Sequence, residues 1–254
     1  MTLSAPPVPD NDLMRYLRER GSTRNFKTDP IPDAWLEALL AAGQRAPTSS
    51  NMQVYSIVVV KDAQTKQKLA EFAGNQKHII DSPVFLALCA DLNGPALACE
   101  MHGTSFHGQT FEKGLVAAID ASLVGMTISL AAGTMGLSTV MIGAMRNKPL
   151  EVAELLGLPP RVFVVFGLCV GWPKTSPIPK PRLPMPAVVH QERYDASRLP
   201  ELVEQYNREL AQYYRDQNRE TPDDAWTQVI SDKYSKPARQ HLRQHLNTLG
   251  FGLE

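Results

Sequence analysis

Cysteine is scarce, with three among 254 residues, and the odd count excludes a fully paired disulfide framework. Cys89 and Cys169 sit inside the apolar runs FLALCAD and FGLCVGW, where a free thiol behaves as a small buried hydrophobe. A reducing compartment is expected. A surplus of either charge is missing too. The 26 Lys and Arg balance the 26 Asp and Glu, which excludes a nucleic-acid binder that depends on a basic excess. The start, MTLSAPPVPDND, has neither a basic flank nor an apolar stretch, so no secretory signal and a cytoplasmic location are expected. With 43% hydrophobic and 20% charged residues, wholesale disorder is excluded. A chain of this length buries about 70% of its unfolded surface and needs no metal to fold.

The familiar motifs of side-chain catalysis are absent as well. No G-x-G-x-x-G follows a strand, and neither a P-loop nor a G-x-S-x-G elbow occurs. His241 and His245 are four apart, but Leu242 stands where a zinc protease needs Glu; a surface helix face is the expectation. Cys99, His102 and His107 form C-x2-H-x4-H without a second dyad, and Asn93–Gln109, rich in Gly and His, is expected to be a mobile flap. No metal site is expected. With no nucleophile and no acid–base pair in view, no catalytic side chain is assigned. If the chain is an enzyme, a cofactor carries the chemistry.

What is present is a succession of apolar runs. Val54–Val60, Val84–Ala90 and Val162–Val170 show little alternation, as strands covered on both faces do. Helical spacing marks Asn11–Arg20, Pro32–Ala42, Ala63–Ala73, Phe111–Met135 and Leu150–Leu156. Ala121–Met145 holds no charge over 25 residues, long enough for a bilayer, yet ten of these are Gly, Ser or Thr. A core helix, a turn at Gly136 and a strand Ser138–Ile142 are predicted instead, with no membrane role. Helices alternating with covered strands give an α+β fold, a three-layer α/β sandwich with a mixed central sheet. Residues 1–10 read as a loose tail. Pro173–Pro186 holds six prolines and should run as an extended arm, leading to polar helical stretches at Leu199–Asp216 and Asp224–Leu249. The expected division is a core over 1–172, with an arm and helical extension of the same domain over 173–254.

Two cationic clusters stand out. Arg20-Gly21-Ser22-Thr23-Arg24 flanks two hydroxyls with guanidinium forks that can meet one phosphate. Lys180-Pro181-Arg182 holds two cations on a stiff backbone. Between a helix and the first covered strand lies Ala46-Pro47-Thr48-Ser49-Ser50-Asn51-Met52-Gln53, a run of small donors suited to a planar hydrogen-bonding ring.

Six stretches in order, RGSTRNF (20–26), APTSSNMQ (46–53), GNQKH (74–78), IGAMRN (142–147), FGLCVGWP (166–173) and KPRLP (180–184), resemble the flavin-dependent nitroreductase family. The closest likeness is to its oxygen-insensitive type A branch, with its flavin reductases. The tail ELAQYYRD and Trp226 fit that branch's C-terminal extension. The resemblance implies the nitroreductase fold and non-covalent FMN at a homodimer interface, each subunit's arm embracing the other. It places Arg20, Ser22, Arg24, Lys180 and Arg182 around the phosphate end of FMN. Thr48, Ser49 and Gln53 line the ring, Gln76 and His78 the ribityl chain, and the backbone of Gly143 and Ala144 approaches the ring. Ser50 and Asn51 lie where the substrate pocket opens.

The activity so implied is two-electron, ping-pong hydride transfer from NAD(P)H through FMN to small oxidants such as nitroaromatics and quinones. Reduction of free flavin or ferric complexes is the alternative within the family, and a non-catalytic FMN-binding scaffold dimer the alternative outside it. Gly21 stands where the family motif often has a basic residue. Asp223 and Asp224 add negative charge where the branch's arginines favour NADPH. Arg215, Arg219 and Lys236 could replace those arginines, so NADPH and NADH both stay open, as does the natural acceptor.

Overall fold

A computed structural model describes residues 10–252; the first nine residues of the expected tail lie outside them. The described chain forms two compact units, 10–177 with 241–252, and 178–240.

In the first unit the chain runs α1 (Asp12–Glu19), α2 (Asp33–Gly43), β1 (Tyr55–Val60), α3 (Ala63–Phe72), α4 (Lys77–Asp81) and β2 (Val84–Asp91). It continues through α5 (Asn93–Met101), α6 (Phe111–Thr134), β3 (Ser138–Ile142), α7 (Pro149–Leu155) and β4 (Val162–Gly171). Short polar side chains start several of the helices. Asn11, Asp62 and Thr110 each accept the amide three residues on, which satisfies one of the orphan donors of a first turn. Gly136, at φ 75°, supplies the left-handed residue that ends α6 and turns the chain into β3.

The four strands pair in the order β1-β2-β4-β3. All three junctions are antiparallel, which corrects the expected mixed sheet. Continuous apolar runs report that both faces are covered; they carry no information on strand direction. The covering is explicit in β2. Val84, Leu86, Leu88 and Ala90 enter one core cluster with α2 and α6. Phe85, Ala87 and Cys89 enter another with α3, α4 and α7. Burial pushes the Cys89 and Cys169 thiols up to about 12, so both are inert core side chains.

A β-bulge interrupts the ladder where Leu88 pairs with Phe166 but Cys89 pairs with Val164. Val165 is left over, and β4 changes face there: Val162 and Val164 lie in the second cluster, Phe166 and Leu168 in the first. Arg146 Nη1 donates to the Val165 carbonyl, supplying a partner that the broken ladder does not.

The segment expected as a flap, 93–109, begins as helix α5, with Pro95 in the first turn, where a missing N–H costs nothing. One further expectation is corrected. The polar stretch Asp224–Leu249 is two helices, α9 (Ala225–Tyr234) and α10 (Leu242–Thr248), parted around Pro237, which cannot continue a helix. Of these, α10 belongs to the first unit, where Leu246 and the following Phe251 join the core and Phe251 stacks edge-on to Phe163 at 4.7 Å.

In the second unit α8 (Leu199–Arg215) packs on α9. Tyr206 meets Trp226 edge-on at 5.3 Å, and Asn207 exchanges two hydrogen bonds with Thr227. The tyrosines of α8 also hold the arm: Tyr206 donates to the Pro181 carbonyl and Tyr213 to that of Ile178.

Gly167 of β4 lies opposite Ala87, and a Cβ there would overlap the fully buried Phe85 ring. Gly167→Ala should therefore cost about 1–3 kcal/mol through overpacking. Urea unfolding reads this as a lower midpoint with an unchanged slope, and an unaltered midpoint would refute the packing assigned to Phe85.

Candidate functional site

The first cationic segment leaves α1 as extended chain. Arg20 caps the helix, its amide donating to the Tyr16 carbonyl at 2.8 Å. Thr23 donates its amide to Thr139 of β3 at 3.1 Å, and Phe26 forms a bridge with Pro173 just past β4. Thr23 and Phe26 are buried, whereas Ser22 and Arg24 are exposed. The Arg20 Nε is buried without a partner, an unmet donor aimed by a fixed backbone.

Gln76 and His78 are set by a tight turn. Gly74 and Asn75 take positive φ of 80° and 62°; Gln76 stands at the N-cap position of α4, and its Nε2 donates back to the Ala73 carbonyl at 3.0 Å. Lys66, itself buried, ties down the far end of α4 through the carbonyls of Ile80 and Ser82, at 3.2 and 2.6 Å. His78 Nε2 is buried and unpartnered. Burial first, and then the neighbouring Arg24 charge, lower its pKa. Arg24 and His78 are thus brought together from segments more than fifty positions apart.

Gly143 and Ala144 open a 3₁₀ turn, Gly143–Asn147, at the end of β3, where the first amides have no acceptor within the turn. Arg146, tied to the bulge, fixes this turn against β4. Phe26, Ala73, Ile79, Ile142 and Met145, which neighbour the cationic, Gln76–His78 and Gly143–Ala144 segments, all belong to one buried cluster. Three of the segments singled out in the sequence are therefore anchored to one face of the sheet.

The loop from Thr48 to Gln53 is anchored to the other face, where Ala46, Met52 and Val54 join the first cluster. It makes a 3₁₀ turn over Ser49–Asn51. Ser50, Asn51 and Gln53 have φ of 49°, 54° and 53°, left-handed conformations that cost non-glycine residues of order 1–3 kcal/mol each and cluster at functional sites. Gln53 and Tyr55 line a cleft of about 530 Å3 with Glu37, Gln44 and Ser56. Met52 and Val54 point into a smaller apolar cavity of about 230 Å3, with Cys99 and Phe106.

Lys180 and Arg182 belong to the second unit. Lys180 Nζ donates to the Tyr214 hydroxyl at 2.8 Å. Arg182 Nη1 donates to the carbonyls of Lys180 and Pro181. Arg215 is paired with Asp223 at 2.8 Å, and Arg219 lies over the Tyr214 ring at 4.7 Å.

Several residues of this architecture carried no role in the sequence reading: Asp120, Arg146, Lys66 and the Ser129–Thr139 pair. Asp120 left a trace. It is the only charge in α6 after Lys113 and falls in the Ala117, Ala121, Val124 spacing of the buried face. Unmet buried donors, a paired arginine and histidine, and a strained donor loop suit a phosphorylated planar cofactor, with anion contacts at one end and hydrogen-bonding donors at the other. Among the described residues no group of three or more His, Cys, Asp or Glu side chains is placed to hold a metal.

Residues 17–172 match the family described as "Nitroreductase family", and residues 180–254 its C-terminal domain. The chain is 35% identical over 247 residues to an FMN reductase [NAD(P)H] of Bacillus subtilis, covering 96% of this chain and 99% of that one. It is 35% identical to the oxygen-insensitive NADPH nitroreductase of Salmonella typhimurium, over 91% and 94% of the two chains. Among solved structures, B. megaterium NfrA2 superimposes with a TM-score of 0.93 at 37% identity, covering 96% of this chain and all of that one. The NADPH:FMN oxidoreductase of Vibrio harveyi complexed with NAD+ gives 0.87 at 33%, with 96% and 100% coverage.

The His78 environment makes a prediction about the apoprotein. Its pKa is lowered on folding from the ordinary 6.5, so the unfolded chain takes up the proton first as the pH falls. The stability it contributes is complete above about pH 6.5 and is lost progressively below it. Between pH 7.5 and 5.5 the wild-type urea midpoint should fall more than that of His78→Gln. Parallel losses would show that His78 is not held neutral by the fold.

Proposed function

Because the chain belongs to the nitroreductase family, matched over nearly its whole length, we propose that it is an FMN-dependent NAD(P)H oxidoreductase that reduces nitroaromatics and quinones. The observation that carries this reading is a pair of buried side-chain nitrogens without partners, Arg20 Nε and His78 Nε2, on segments anchored to one face of the sheet. An exposed guanidinium at Arg24 and an unmet donor at Arg20 on the same segment suit an anion, and a phosphate monoester is such an anion.

On this reading Arg20, Ser22 and Arg24 bind the phosphate, and Gln76 and His78 hold the ribityl hydroxyls. Thr48, Ser49 and Gln53 present donors to the ring edge. Gly143 and Ala144 turn backbone amides toward it, where fixed donors stabilise developing negative charge. Ser50 and Asn51 border the space that donor and acceptor occupy in turn. Bound FMN supplies the hydride-carrying ring, which explains why the chain needs no nucleophile of its own.

We also propose a cytoplasmic homodimer. Phe111, Leu115, Ile119 and Leu123 recur every four residues along α6 and are all exposed, an apolar stripe that a second copy would cover. The helix is long and apolar enough to cross a membrane, but it carries the wholly buried Asp120 and packs on the sheet and α2, as a core helix does.

A second reading, reduction of free flavin, is favoured by the Bacillus subtilis relative described as an FMN reductase. Comparing steady-state rates on nitrofurans, quinones, free FMN and ferric chelates separates the two. Either donor is compatible with the site, since the Asp223 carboxylate already neutralises Arg215.

The purified protein should be yellow and should bleach with NAD(P)H in the absence of oxygen. Arg20→Ala and Arg24→Ala should each weaken FMN binding by about ten-fold or more, as loss of a charge-assisted contact does. A colourless protein that takes up no added FMN would overturn the reading.

A further inference from the structure

We propose that Asp120 is the positioning residue of the ring-binding loop, a buried carboxylate on α6 that holds Thr48–Gln53 in its strained conformation from behind. The inference rests on the reading of that loop given above. Asp120 is wholly buried. Its Oδ1 accepts the Ser49 amide at 2.9 Å, whereas Oδ2 is buried with no partner.

The geometry sets Asp120 against the start of the loop. Ser49 is the first residue of the 3₁₀ turn, so its N–H has no acceptor inside the turn. Tyr55, which follows the loop, has its phenol pKa raised by burial and then by the charge of Asp120. Between Ser49 and Tyr55 lie Ser50, Asn51 and Gln53, all left-handed. Such residues persist only where their surroundings over-determine them. The loop's own bonds are local: Asn51 N–H to Thr48, Met52 N–H to Ser49, and a long contact from Gln53 Nε2 to Asn51. The bond from Ser49 to Asp120 ties residues 48–53 to another element.

An isolated carboxylate is costly to bury, and α6 is otherwise apolar along this stretch. The hydrogen bond to the Ser49 amide offsets part of that cost where a loop must be held against its own preference. Asp120 touches no reacting atom. It acts on the flavin only through the Ser49 amide and the loop behind it.

The test is a double-mutant cycle read by FMN titration of the apoprotein and by the visible circular dichroism of the bound flavin. Asp120→Ala removes the acceptor. Ser49→Pro removes the donor at a first-turn position that accepts proline, after a residue already extended (Thr48, φ −130°, ψ 153°). Ser49→Ala keeps the amide and controls for the hydroxyl. Asp120→Ala and Ser49→Pro should each weaken FMN binding about ten-fold and alter the dichroism. The double variant should be no worse than either alone, and Asp120→Asn, which keeps an oxygen acceptor, should recover most of the affinity. Wild-type protein that binds no FMN would defeat the functional reading itself. Wild type that binds FMN while the variants keep full affinity and unchanged dichroism, or lose it additively, would overturn the role of Asp120. If Asp120→Ala does not fold, Ser49→Pro against Ser49→Ala reports on the same bond.

Discussion

A core helix that has given up nearly all its charge can hold its neighbours in register only through the few polar groups it keeps. Helix α6 keeps two such places. Asp120 takes the Ser49 amide. Ser129 shares a hydroxyl–hydroxyl bond of 2.6 Å with Thr139, and Thr139 in turn accepts the amide of Thr23. The two points are nine residues apart, about 13–14 Å along a helix axis, and roughly opposite in azimuth. From one the donor loop is suspended, and from the other, by way of β3, the cationic segment. Apolar packing of α6 between the sheet and α2 is non-directional. Without these polar fixtures it would leave both segments free to slide.

The bulge in β4 does the corresponding work on the other face. An extra residue in the strand turns Phe166 and Leu168 toward the α6 side and leaves Val164 behind, so one strand feeds both cores. It also exposes a carbonyl that the ladder cannot satisfy. Arg146 answers it, and in doing so anchors the turn that presents Gly143 and Ala144. A buried unpaired carbonyl costs of order 1–3 kcal/mol, so the guanidinium and the bulge each remove the other's penalty. An irregularity in the sheet is thus converted into a fixed position for backbone donors.

The elements themselves were legible because their signals are local. The spacing of Trp35, Leu36, Leu39 and Leu40, the β-branched run Val58–Val60 and the glycine after α6 each declare a period or a break over a few residues. The segments that carry the site were legible in the same way, as clusters of arginines and small donors. Their joints were not. The antiparallel order of the sheet is a long-range property that apolar runs do not encode. The bulge is hidden in VFVVFGLCV because a strand buried on both faces has no alternation to interrupt. Asp120 is one acid in a helix, and only burial makes it unusual. Pro95 and Pro237 show that one residue type can mean opposite things. Three positions into α5 a proline is tolerated, whereas in the run after Tyr234 it ends one helix and delays the next.

Arg24 and His78 show how such a site can be built without being satisfied. An arginine cannot shed its proton, so a histidine placed beside it and partly removed from water gives up its own, as the lowered pKa of His78 records. What results is one fixed positive charge and one neutral ring with a buried, unmet nitrogen. If the FMN phosphate proposed above lies within reach, it offsets the repulsion from Arg24 while leaving the burial in place, so proton uptake by His78 and ligand binding would favour each other. The apoprotein thus keeps its repulsion small by leaving a proton off, and the ligand restores it.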